Sequence, residues 1–183
     1  MIRAWATAFL VSVCGAAQAE LRVVSASGEP YLPVVGAGGQ TTAVYTAAMM
    51  LDGDPDTFAC LLDDSRGGAR SDTRPPRGDA PVTGAITLDL GGEYEVDGVE
   101  LVSRNNGGRF LPREVEILGI KFGVPAVAGG KSHVIRFAPR TLKSLAVKIL
   151  SSYESGPVHF NFQIAEIRVS VKDAAGARKM LTG

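Results

Sequence analysis

The chain is 183 residues long, and its 19 basic and 19 acidic residues leave no formal net charge at pH 7. Without an excess of positive charge there is no electrostatic basis for generic binding to nucleic acid or to an anionic membrane surface, so neither is expected as a partner. The length fits one domain with a real hydrophobic core.

The first segment is MIRAWATAFLVSVCGAAQA, in which Arg3 supplies a positive start, Ala4 to Ala17 an apolar stretch, and Ala17 and Ala19 flank Gln18. This is the pattern of a signal peptide, residues 1–19, cut after Ala19, and it predicts a secreted or periplasmic protein. A cut before Cys14, leaving a lipid on that cysteine, fits less well because Val13 stands where a small residue belongs. No later stretch approaches the ~20 apolar residues of a spanning helix, so no membrane span is expected. Once Cys14 leaves with the signal, Cys60 has no partner for an intramolecular disulfide. It is then either a buried apolar thiol or a link between chains.

Thr46 to Leu51 can make one helical turn, leading into Leu51-Asp52-Gly53-Asp54-Pro55-Asp56-Thr57. Carboxylates at alternate positions beside a hydroxyl offer the oxygen ligands, roughly six to eight, that a hard Ca²⁺ ion takes. An EF-hand begins with the same spacing and would place Asp63 last. Here Thr57 stands where that loop needs glycine, Asp63 is shorter than the usual glutamate, and Pro55 stiffens the turn. Asp-Gly and Asp-Pro are equally the chemistry of tight turns, so spacing alone leaves turn and cation site both open. Residues 63–84, with Asp63, Asp64, several arginines and Pro75-Pro76, are expected as a long exposed loop.

From residue 84 onward apolar residues alternate with polar ones over short runs, the two-residue period of half-buried strands. Ile86, Leu88 and Leu90 precede a Gly91-Gly92 turn, Val99 and Leu101 follow Asp97-Gly98, and Val115 and Ile117 follow Pro112. Val124 to Gly130 reads as a loop, Ile135 and Phe137 precede Pro139, and Leu145, Val147 and Ile149 form the next run. The last run has Phe160, Phe162 and Ile164, then Ile167, Val169 and Val171; its one change of phase predicts a bulge at Ala165-Glu166. Short strands separated by Gly, Pro and Asn turns, with no βαβ alternation, predict an all-β sandwich or barrel of antiparallel strands. Residues 20–172 are therefore expected to form one β domain and residues 173–183 a frayed, flexible tail.

Three segments, AMMLDGDPDTF, AITLDLGGEYEVDGVELVSR and FQIAEIRVSV, together resemble the discoidin or coagulation factor type C family, which includes the family 32 carbohydrate-binding modules. The similarity runs from about Met49 to Val171. It implies a galactose-binding-like jelly-roll β-sandwich with ligand loops at one end, whose members mostly bind sugars and in some cases phospholipid or protein. It also implies a structural Ca²⁺ held by the DG-x-x-x-T loop and the glutamate of A-E-I. Carried to this sequence, the ligands are Asp52 and Thr57 by side chain, Asp54 by its carbonyl, and Glu166 from the last strand. Glu166 also sits at the phase change, where a bulge can turn a carboxylate toward the loop.

Sugar recognition needs polar side chains that reach hydroxyl pairs and an aromatic face for a pyranose ring. The run Arg104-Asn105-Asn106-Gly107-Gly108-Arg109-Phe110 offers both. Galactose-binding relatives use an arginine and an asparagine from this loop, which the resemblance places at Arg104 and at Asn105 or Asn106. Asn-Gly is also a turn signal, and Arg109 could pair with a carboxylate instead. The family's earlier histidine has no match; His159, beside Phe160 before the last strand, is the histidine that could reach a loop-end site. The tryptophan often found after D-x-T is Ala59 here, so stacking falls to Tyr153, Phe110 or Phe160, and the S-x-D-G turn after the middle strand is replaced by LGIKFG.

Hydrolytic chemistry would need paired carboxylates or a nucleophile with a histidine base on rigid supports, and zinc chemistry a recognisable ligand spacing. The sequence displays none of these. The expected function is a non-catalytic, calcium-stabilised module that binds a glycan or other cell-surface ligand. The alternative is a secreted or periplasmic interaction domain whose partner is another secreted protein, docked by the 63–84 loop.

Overall fold

The computed structural model describes residues 22–26, 47–61, 84–105, 111–153, 162–172 and 176–183. The expected signal peptide and nearly all of the 63–84 loop lie outside the described residues. The strands in chain order are β1 (Arg22–Ala26), β2 (Ala59–Leu61), β3 (Gly84–Val102), β4 (Pro112–Ile117), β5 (Ile120–Gly123), β6 (Ser132–Ser152), β7 (Phe162–Ile164), β8 (Glu166–Lys172) and β9 (Arg178–Leu181). One 3-10 turn, Ala47–Met50, precedes β2 where a helical turn was expected.

Every strand pair is antiparallel. Seven strands form one sheet in the order β5-β4-β6-β3-β8-β9, with β1 joined to β3, while β2 and β7 form a second sheet. The central strand β3 serves different neighbours along its length: Ile86 to Asp89 pair with β1, and Glu95 to Val102 pair with β8. Alternation decides which side chains face inward. Ile86, Leu88, Leu90, Val99, Leu101, Val115, Ile117, Leu145, Val147, Ile149, Ile167, Val169 and Val171 are all buried, and Ala59 of β2 and Ile164 of β7 join the same cluster. Both sheets thus close over one core, in which each fully buried Leu or Ile contributes about 1.5–3 kcal/mol.

Several expected breaks turn out to be irregularities within longer strands. Gly91-Gly92 and Asp97-Gly98 both lie inside β3, and Pro139 lies inside β6. The register explains how. Residues 90–93 of β3 face only Lys143 of β6, and residues 137–139 of β6 face only Asp97 of β3. Each strand therefore bulges once against the other, and Pro139, which has no N–H to donate, occupies one of the bulges.

The phase change at Ala165 is likewise not a bulge within one strand. β7 pairs with β2 in the small sheet and β8 pairs with β3 in the large one. The chain changes sheets at Ala165, whose N–H donates to the Val102 carbonyl at 2.9 Å. The frayed tail expected after Lys172 also needs correction, because Arg178 to Leu181 form β9 along the edge of β8. Arg178 secures it by an ion pair and two hydrogen bonds to the buried Asp97. The LGIKFG segment is a tight β4–β5 hairpin turned by Leu118 and Gly119, both with positive φ (55° and 76°).

Candidate functional site

The loop from Leu51 to Thr57 is a compact turn built from its own polar groups. Asp54 N donates to Asp52 Oδ1 and Asp56 N donates to Asp54 Oδ1, both at 2.9 Å. Thr57 N donates to the Asp54 carbonyl at 3.1 Å. The Thr57 hydroxyl lies 2.7 Å from Asp52 Oδ2 and 3.0 Å from the Asp54 carbonyl. Asp52, the Asp54 carbonyl and Thr57 are therefore gathered on one side of the loop.

The sheet-changing step at Ala165 delivers Glu166 to the same place from the other end of the chain. Glu166 is 1% exposed. Its Oε1 has no hydrogen-bond partner among the described residues. Burial and the neighbouring Asp52 carboxylate push its pKa up to about 7, against the partial relief given by Arg168 and the Gly53 amide. A buried carboxylate facing a second carboxylate, with an oxygen left over, is a costly arrangement unless a cation or a proton offsets it. Among the described residues no three His, Cys, Asp or Glu side chains converge. A cation there would draw on hydroxyl and carbonyl oxygens as well as the two carboxylates, which is the donor chemistry of calcium rather than of zinc.

The opposite side of the loop borders a small hollow of about 100 Å³ lined by Asp56, Phe58, Arg104 and Asn105. Arg104 lies over the Phe58 ring, 4.8 Å from its centroid. Asn105 Nδ2 donates to Asp56 Oδ1. Arg104 and Asn105 leave the C-terminal end of β3 and are held by the loop that follows β5. Ser103 N donates to the Lys131 carbonyl at 2.9 Å, and Gly130 N lies 3.2 Å from the carbonyls of both Ser103 and Arg104. The Ser103 hydroxyl lies 3.2 Å from the carbonyls of Arg104 and Ala128. The fit around Asn105 admits no side chain: a Cβ on Gly129 would lie 2.0 Å from the Asn105 carbonyl oxygen, and one on Gly130 would lie 2.3 Å from Asn105 Oδ1.

Two of the sequence-predicted ligand residues, Arg104 and Asn105, are thus brought together, while Asn106, Arg109, Phe110, His159 and Phe160 lie outside the described residues. Tyr153 does not line the hollow; its hydroxyl donates to the Val124 carbonyl at 2.5 Å and braces the loop that holds Asn105. Asp56 and Phe58 were not foreseen as lining residues. The available signal is the aromatic Phe58 directly after Thr57, one position ahead of Ala59, where the resemblance places a tryptophan.

No protein-family model and no curated protein matches the sequence. Solved structures do match. A family 32 carbohydrate-binding module from Clostridium perfringens, in complex with GalNAc-β-1,3-galactose, superposes with a TM-score of 0.55 at 18% identity, covering 81% of this chain and 94% of that one. The C-terminal domain of a chitobiase from Bacteroides fragilis gives 0.54 at 17%, covering 85% and 97%. A further such module, from a family 31 glycoside hydrolase of Clostridium perfringens, gives 0.54 at 16%, covering 82% and 89%. The chain has the galactose-binding-like, discoidin-type β-sandwich fold of the family 32 carbohydrate-binding modules.

Proposed function

We propose that this chain is an exported, calcium-stabilised binding module that recognises carbohydrate through the hollow at Asp56, Phe58, Arg104 and Asn105 and performs no catalysis itself. The observation that carries the reading is the convergence of a guanidinium, a carboxamide, a carboxylate and an aromatic ring at the end of a rigid β-sandwich. Those are the donors, acceptors and apolar surface that a sugar's hydroxyl pairs and ring face require. The fold is shared with a module whose structure contains GalNAc-β-1,3-galactose, which makes that disaccharide a suitable first probe. Calcium fits beside Glu166 because the residues there supply oxygen ligands and leave a buried carboxylate oxygen without a partner among the described residues. Export rests on the N-terminal pattern ending at Ala19.

A glycan array probed with the labelled protein in calcium and in EDTA tests this function. Retention on defined glycans, lost in Arg104→Lys with its melting temperature unchanged, is the expected result, because lysine keeps the charge but loses the planar fork. A blank array together with capture of a secreted protein would replace the carbohydrate reading with the interaction-domain alternative.

A further inference from the structure

We propose that the 52–57 loop makes the geometry of the hollow depend on a divalent cation: an ion held by Asp52, Thr57 and Glu166 sets the position of Asp56 against Asn105. The proposal rests on the cation reading above and adds a coupling that it does not contain. The loop has two working faces. Toward the core, Asp52 and Gly53 stand against Glu166, which is 1% exposed and has Oε1 unpartnered among the described residues. Toward solvent, Asp56 and Phe58 form one wall of the hollow, and Asp56 accepts from Asn105.

Only a short hydrogen-bonded turn separates these faces. Asp52 Oδ1 receives the Asp54 amide, and Asp54 Oδ1 receives the Asp56 amide. Two hydrogen bonds thus connect the Asp52 carboxylate to Asp56 as the route for the coupling. The opposite wall has no such freedom, since Asn105 is seated against Gly129 and Gly130 with no room to spare. One wall is fixed by packing and the other is set by the loop. Without a cation, Glu166 Oε1 stays unpartnered among the described residues and the two carboxylates have no common centre. With one, both carboxylates are drawn to a common centre and Asp56 is fixed. Linkage makes the effect reciprocal: whatever the hollow holds through Asp56 must raise the affinity for the cation by the same factor.

The test titrates CaCl₂ into ¹⁵N-labelled full-length protein, following the Asn105 side-chain amide by NMR while calorimetry measures binding in parallel. In the native sequence the Asn105 resonance should move with the calorimetric midpoint. In Glu166→Gln, or in Asp52→Asn should that variant fold poorly, both signals should vanish. In Asp56→Ala, calorimetry should still report calcium binding while the Asn105 resonance stays still. Calcium binding with an unmoved Asn105 resonance in the native protein overturns the coupling and leaves the cation site standing. Absence of calcium binding overturns both. The array result does not enter, so failure of the carbohydrate reading is distinguishable from failure of this one.

Discussion

Asp97 on β3 and Glu166 on β8 are both buried carboxylates, 3% and 1% exposed, on adjacent strands of the same sheet. Asp97 is surrounded by compensation. Ser170 donates to it at 2.7 Å, Arg136 at 3.1 Å, and Arg178 Nε at 2.8 Å. Burial alone would raise its pKa, but the hydrogen bonds from Ser170 and Arg178 and the two guanidinium charges outweigh burial and hold it below the usual carboxylate range. Glu166 is treated in the opposite way. The Asp52 carboxylate acts on it more strongly than the Arg168 guanidinium, which is engaged with Glu100 at 3.3 Å. Among the described residues the protein completes one buried charge from its own side chains and leaves an oxygen of the other without a hydrogen-bond partner. The first arrangement is that of a structural clip, and the second is the one the proposed cation would complete.

The largest expected effect comes from breaking the completed site. Asp97→Ala should lower the urea-denaturation stability by about 3 kcal/mol, because it strips hydrogen bonds from Ser170 and both arginines and releases β9. The figure lies at the low end for a buried pair since the Arg136 and Arg178 side chains are 47% and 55% exposed and can turn to water. A loss below about 1 kcal/mol would show that the clip does not hold the edge strand.

Withdrawing calcium should come next. At a concentration about 100 times Kd, bound calcium adds roughly 2.7 kcal/mol, so EDTA should lower Tm by about 5–10 °C in the native sequence and not in Glu166→Gln. An EDTA-insensitive Tm would reduce the loop to a turn.

The two carboxylates should also differ in the sign of their pH dependence. Asp97, with its pKa depressed, contributes stability that is present above the ordinary value of 3.8 and is lost as pH falls through its folded value. Glu166, raised from 4.5 to about 7 without metal, contributes stability that is fully present below 4.5 and lost as pH rises through about 7. In EDTA, native protein should therefore lose more stability than Glu166→Gln between pH 5 and pH 8, as read by thermal denaturation. Equal losses would place Glu166 in an ordinary environment.

The smallest effect concerns the wall of the hollow. Gly130→Ala puts a methyl group at a backbone with φ of 69° and against Asn105 Oδ1. It should cost about 1 kcal/mol of stability yet weaken binding to the responsive glycan more than tenfold, measured by calorimetry. A loss of stability with unchanged affinity would remove Asn105 from the site.

The β-strand content was legible because its signal is local: an alternation such as Ile86, Leu88, Leu90 needs no partner to be seen. The breaks within it mislead for the same reason. Gly91-Gly92, Asp97-Gly98 and Pro139 carry the chemistry of turns, and only the register of β3 against β6 shows them to be bulges in continuous strands. Asp97 was invisible as a charge centre because Arg136, Ser170 and Arg178 reach it from three later strands. Asp52, Thr57 and Glu166 became legible through family resemblance rather than spacing, since Glu166 meets the loop only where the chain changes sheets at Ala165. Phe58 and Asp56 line the hollow by virtue of the turn's shape, which the letters of D-P-D-T-F do not specify.

The pairing of β3 with β6 also has a kinetic consequence. Gly84 pairs with Ile149, and even the contact nearest in sequence, Val102 with Ser132, must close a long stretch of chain. Of the seven ladders among the described residues only the β4–β5 and β8–β9 hairpins are local, and the other five wait on non-local closure. Such topologies fold in roughly milliseconds to seconds. The strand from which Arg104 and Asn105 emerge toward the hollow is thus also the one on which most of this non-local closure converges.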